Sequence, residues 1–168
     1  MTNLVMKRIN LMSFNKNKQW ADKFIPEIKT ALAPYLIRVP NLEADIKRCS
    51  DLITLNKRIS VRTRKYEDLR YKHEFTIRAK TKNKNRTELE KIATGWGDFI
   101  FYSFASQDES RLVYWVLGDL NIFRNIVFNN PDLQKNYKQN RDGTGFVCFY
   151  WRDFPDMIVA KKDFHESA

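Results

Sequence analysis

Asp51–Arg78, DLITLNKRISVRTRKYEDLRYKHEFTIR, reads as three consecutive strands with basic side chains along them. Leu52, Ile53 and Leu55 form a short apolar run, and Asn56-Lys57 is a polar two-residue break. Beyond it, Ile59 and Val61 alternate with Ser60, Arg62 and Arg64, the period of a strand half buried on one face. Together these predict a hairpin with one apolar and one cationic face. A second break at Glu67-Asp68 leads through Tyr71 to His73–Arg78, where Phe75 and Ile77 alternate with Glu74, Thr76 and Arg78. A solvated strand face accounts for any single arginine. Several arginines on one face repel one another unless an anion or an acidic partner lies across them.

The wider composition bounds what such a stretch can belong to. The 168 residues are 43% hydrophobic and 14% aromatic, enough for one proper core. They predict a single domain over 1–168, with its core at about 18–128 and a C-terminal strand at 146–151. With 5 Gly and 5 Pro the chain is neither fibrous nor low in complexity. No stretch approaches the roughly 18 apolar residues of a membrane span, and the N-terminus lacks a signal peptide's pattern, so a cytoplasmic protein with no membrane partner is expected. Cys49 and Cys148 read as reduced apolar residues, and with only His73 and His165 beside them a structural zinc site is not expected.

Charge is more telling. The net charge is +10, and Lys57–Lys91 holds thirteen basic against five acidic residues, so about a fifth of the chain carries most of the excess. Such clustering is the electrostatic footprint of a polyanion, nucleic acid above all, although an acidic protein surface fits it too. Solubility alone asks for no clustering.

Outward from this stretch, Trp20, Phe24, Ile25, Ile28, Ala31 and Leu32 recur at helical spacing, predicting a helix from about Lys18 to Ala33 that ends at Pro34 and kinks or restarts at Pro26. Downstream, Ala79–Arg86 (AKTKNKNR) is a basic loop suited to phosphate contact, and Thr87 with Glu90 forms a capping box for a helix ended by Gly95. Phe99–Phe104 and Leu112–Leu117 read as strands covered on both faces, Asp119 as the cap of a helix through Leu120, Phe123, Ile126 and Val127, and Phe146–Trp151 as a last strand. Pro131–Arg141 reads as loop, and the tail from Phe154 is weakly patterned. The expected fold is α/β (α+β): a single mixed β-sheet with flanking helices, the helix after the third strand serving as a crossover.

This order, αβββαβ, together with Asp51-Leu52-Ile53 and Ile59-Ser60-Val61-Arg62-Thr63-Arg64-Lys65, resembles the PD-(D/E)XK nuclease-like superfamily. There an acidic residue opens one strand and an acid-x-Lys triplet lies on the next. The segments Phe75-Thr76-Ile77-Arg78, Thr87–Ile92 and Gly95-Trp96-Gly97-Asp98 are similar to a divergent, uncharacterised branch of phage and mobile-element proteins. The resemblance covers about Glu43 to Arg124 and departs from the motif at two positions: Ser60 stands where the family carries its acid, and Arg62 where it carries lysine. Serine supplies no carboxylate, and arginine does not act as a base near neutral pH.

Two classes of function follow. An active member would be a Mg²⁺-dependent endodeoxyribonuclease or resolvase, with metal ligands drawn from Asp51, Glu43, Glu74 and Glu88 and catalytic roles for Asp51, Glu74, Arg62 and Lys91. A binding module would grip nucleic acid, DNA favoured, through Arg62, Arg64, Arg78, Lys80, Lys82, Lys84 and Arg86, without cofactor. The missing acid tilts the reading to binding. The resemblance also implies a phage-infected or bacterial host cytoplasm, a homodimer as the family's common assembly, and, on a protein-partner reading, an inhibitor of a host nuclease or defence complex. Trp96, Tyr102, Trp115, Tyr150 and Trp151 read as core, with base stacking as the alternative. His73 reads as a surface or packing residue, and Asp98 as a strand-entry turn residue.

Overall fold

The computed structural model describes residues 15–38, 53–82, 86–130, 132 and 136–164, with the side chains of Arg38, Ile53 and Thr54 excepted. The chain divides into two compact units, Met1–Asn56 and Lys57–Ala168.

In the first unit a helix over 15–22 breaks at 23–24, and α1 (Ile25–Leu36) starts immediately after, with Pro26 in its first turn. That is where a missing N–H costs nothing, so the expected restart at Pro26 is what the chain does. Phe24, Ile28 and Leu32, spaced by one helical turn, are buried. The helix runs past Pro34 to Leu36 and passes directly into β1 (Ile37–Arg38), which pairs antiparallel with β2 (Ile53–Thr54).

The second unit is α+β, with a mixed sheet and flanking helices. Its four-stranded sheet has the order β3 (Ile59–Arg64), β5 (Phe99–Ala105), β6 (Leu112–Asp119), β9 (Ile158–Asp163), in which β3 and β5 are parallel and the other pairs antiparallel. A second, antiparallel sheet has the order β4 (Glu74–Lys80), β8 (Gly145–Tyr150), β7 (Tyr137–Gln139). The expected hairpin is thereby corrected: β2 pairs with β1, and β3 pairs with β5. Asn56-Lys57 lacks the glycine that completes a tight Asn-Gly hairpin turn, whereas register with the aromatic β5 sets Ser60, Arg62 and Arg64 beside Ile100, Tyr102 and Phe104. A 3-10 segment, Tyr66–Tyr71, carries the chain from β3 to β4.

The connection from β4 to β5 contains α2 (Glu88–Ala93), whose capping box is formed as expected: Thr87 accepts from the Glu90 N–H at 3.1 Å, and Glu90 accepts from the Thr87 N–H at 2.6 Å. Gly95, at φ 86°, ends this segment in the conformation glycine adopts most readily. Asp119 caps α3 (Leu120–Asn129), accepting from the Asn121 N–H at 2.7 Å. Asp98 is the strand-entry residue the sequence suggests. Its carboxylate accepts the Arg58 N–H at 2.8 Å, tying the start of β3 to the start of β5.

The core lies between the sheets and α3. Phe75 on β4 is fully buried, stacks on Trp151 at 4.2 Å and on Phe149 at 5.4 Å, and meets the edge of Phe123 at 5.6 Å. Aromatic contacts of this kind add about 0.5–1.5 kcal/mol each beyond burial. On β5 both alternating sets are buried: Ile100, Tyr102 and Phe104 on one face, Phe101, Ser103 and Ala105 on the other. Two strands of this unit were not expected. β7 lies within the predicted loop and is exposed along its length, and β9 is an edge strand carrying Lys161 and Lys162, so neither shows the apolar alternation by which a strand announces itself.

Candidate anion-binding cleft

Alternation along β3 and β4 decides which side chains meet. Ser60, Arg62 and Arg64 share one face of β3, and Glu74, Thr76 and Arg78 share one face of β4. Arg62 reaches across: its guanidinium donates to the Thr76 carbonyl at 2.7 Å and to Thr76 Oγ1 at 3.1 Å, and pairs with Glu88. Glu88, in the first turn of α2, also accepts the Arg78 N–H at 3.1 Å and the Ser60 hydroxyl at 3.4 Å. Three elements are therefore tied together by one carboxylate. The Arg62 and Glu88 side chains are only 23% and 21% exposed, which makes this a half-buried pair rather than a surface one.

Two adjoining cavities open beside this network. One, of about 290 Å³, is lined by Arg62, Arg64 and Arg78 together with Asp68, Thr76 and Asn140. The other, of about 260 Å³, has Arg64, Asp68, Tyr71, Glu74, Tyr102 and Cys148 among its walls. Arg64, Asp68, Thr76 and Phe146 border both. Arg64 has Asp68, four residues on, at 3.8 Å, while the Arg78 guanidinium is exposed and forms no ion pair among the described residues. Register extends the cationic row: Arg78 on β4 lies opposite Phe146 on β8, which lies opposite Lys138 on β7.

Glu74 faces the second cavity and accepts a hydrogen bond from the Cys148 thiol. Burial, then the neighbouring carboxylate, push that thiol up to about 12, so Cys148 stays protonated at neutral pH. It is a donor here, not a nucleophile.

Of the remaining residues singled out from sequence, Lys80 and Arg86 are exposed, and Lys82 pairs with Asp142 at 3.4 Å. Lys91 is exposed on α2 and borders neither cavity. His73 is exposed, and its carbonyl accepts from the Trp151 N–H at 3.0 Å. Trp115 and Trp151 are buried as core, Tyr102 is buried with its ring bordering the cavity, and Trp96 is exposed. Glu43, Asp51 and Lys84 lie outside the described residues. Sequence reasoning missed Asp68, Lys138, Asn140 and Cys148 as cleft residues. Lys138 and Asn140 fall in a polar run whose pairing to β8 has no local signature, and Cys148 reads simply as apolar.

A divalent ion would need carboxylates free to converge on it. Glu88 is already engaged by a guanidinium, Glu74 by a thiol, and among the described residues no three Asp, Glu, His or Cys side chains gather in a metal-binding group. The described donors do not fit such an ion. Nor is any helix among them long and apolar enough to cross a membrane. No known protein family, curated protein or solved structure matches this chain.

Proposed function

We propose that this protein binds nucleic acid, DNA favoured, gripping phosphates in the arginine-lined cavity without cutting the chain. The observation that carries this reading is the convergence of Arg62, Arg64 and Arg78 on one cavity, with only Arg62 held in a close, half-buried carboxylate pair. Guanidinium groups present paired N–H donors that match phosphate oxygens, and with Glu88 on Arg62 and Asp68 beside Arg64 the Arg78 guanidinium leaves the wall with an excess of positive charge. Lys80 and Arg86, exposed at the end of β4 and before α2, extend the basic track.

The test is the salt dependence of affinity. Binding of a labelled oligonucleotide, followed by fluorescence anisotropy between 50 and 200 mM salt, is expected to weaken linearly in log–log form, with a slope of about −0.7 to −0.9 per phosphate contacted. Arg64→Ala and Arg78→Ala should each lower that slope by about one contact. Binding indifferent to salt removes the phosphate-led reading.

One observation favours a second reading, an active Mg²⁺-dependent endonuclease. The Glu88 carboxylate lies 3.4 Å from the Ser60 hydroxyl, so an ion that drew it away from Arg62 would meet an acid beside the position where the motif lacks one. Cleavage of DNA in Mg²⁺ or Mn²⁺ that is abolished by both Asp51→Ala and Glu88→Gln would establish that reading over simple binding.

A further inference from the structure

We propose that the cavity lined by Glu74, Cys148 and Tyr102 receives one unstacked base of a single-stranded nucleic acid, whose phosphate rests in the adjoining arginine-lined cavity. This rests on the nucleic-acid reading above and narrows it to single strands.

The division of charge between the two spaces is the first support. In the arginine-lined cavity Arg64 faces Asp68 and Arg62 is paired with Glu88, which leaves the Arg78 guanidinium in excess. In its neighbour Arg64 and Lys138 are balanced by Asp68 and Glu74. A phosphate is drawn to the first and gains nothing from the second, where two cations and two carboxylates offset one another. The part of a ligand that enters the second space is therefore uncharged and carries N–H donors for the carboxylates. A nucleobase joined to its phosphate has this chemistry.

Depth and lining agree. Cys148, Tyr102 and Phe104 are buried and form the floor, whereas Tyr71, Lys138 and Arg64 are exposed or half exposed and form the mouth. The rings of Tyr71, Tyr102, Phe104 and Phe146 supply apolar and π surface to a flat heterocycle. A volume of about 260 Å³ is below the roughly 300–1,000 Å³ usual for drug-sized ligands and suits one base rather than several. A base paired and stacked in a duplex does not reach such a cavity without leaving the helix. Because the two cavities share the Arg64, Asp68, Thr76 and Phe146 walls, one nucleotide can occupy both.

The decisive experiment compares three labelled ligands on the unaltered protein at fixed salt: a ten-nucleotide single strand, the same strand annealed to its complement, and the same strand with abasic residues throughout. The intact strand is expected to bind about five- to tenfold tighter, or more, than either of the others, the effect of one base stacked on an aromatic ring. The abasic strand should keep the salt slope, since its phosphates remain. Tyr71→Ala, at the exposed mouth, should reduce the preference for intact over abasic strand while leaving affinity for the abasic strand unchanged. Equal binding of intact and abasic strands, or of single strand and duplex, overturns the base pocket while leaving the phosphate-led reading standing. Failure of all three to bind overturns both.

Discussion

Glu88→Gln is the perturbation that separates the cleft's structural role from its proposed binding role, because it removes a charge and preserves a shape. In the native protein the carboxylate holds the Arg62 guanidinium, the Arg78 N–H and, more loosely, the Ser60 hydroxyl. An exposed ion pair contributes about 0–1 kcal/mol, whereas breaking a buried one costs about 3–5 kcal/mol because a charge is left without a partner. With roughly a fifth of each side chain exposed, the Arg62–Glu88 pair falls between these limits, at about 2 kcal/mol. Glu88 also sits in the first turn of α2, where a negative charge is stabilising by about 0.3–1 kcal/mol. The expected loss is therefore about 2–3 kcal/mol, or a fall in Tm of roughly 6–12 °C at about 3–4 °C per kcal/mol for a chain of this size. Urea titration followed by circular dichroism would measure it, and a double-mutant cycle with Arg62→Met would isolate the coupling. A loss below about 1 kcal/mol with no coupling would mean that the pair is solvent-screened and does not organise the cleft. Binding should move the opposite way: Arg62, released from its counter-charge, adds to the cationic wall, and phosphate affinity rises. A folded Glu88→Gln protein that binds more weakly would refute the assignment of Arg62 to phosphate.

Acid stability should have a distinct low-pH component. The Ser106 hydroxyl first, then the Ser110 hydroxyl and N–H, hold Asp108 at about 2 against an ordinary 3.8. A depressed carboxylate stabilises the fold above its unfolded value, so this contribution is present above pH 3.8 and is lost as pH falls towards about 2. Asp108→Asn should flatten the curve of Tm against pH in that window, and an unchanged curve would count against the hydrogen-bonded loop. Cys148 behaves in the reverse sense. Its raised value means that stability is retained up to the ordinary 9.0 and declines as pH climbs towards about 12, and the native thiol should resist alkylation at pH 8 when the modified peptide is followed by mass spectrometry. Gly118→Ala tests the packing of β6. The added methyl would lie 2.7 Å from Met157 Cε and 3.3 Å from both Met157 Cγ and Ile100 Cγ2. Methionine can yield but isoleucine less so, and a cost of about 1–2 kcal/mol in urea is expected. A neutral result would show slack around that strand.

Local chemistry was legible residue by residue. The capping box at Thr87 and Glu90, the restart at Pro26, the Asp119 cap, the doubly buried β5 and the strand-entry role of Asp98 all follow from interactions a few residues long or from runs of apolar side chains. The alternation that sets Arg62 and Arg64 on one face of β3, and Glu74 and Arg78 on one face of β4, is equally local. What lies opposite those faces is not. Strand pairing depends on complementarity between segments distant in sequence, so nothing near Ile59–Arg64 announces a parallel partner at Phe99–Ala105 in place of a hairpin. Only tertiary structure brings Glu88 across 26 residues to Arg62, sets the Cys148 thiol on Glu74, and adds Lys138 to the cationic row by way of β8. The sequence by itself determined that this protein carries a concentrated positive charge on alternating strands. The packing of two sheets decided which of those charges are consumed within the fold and which remain exposed.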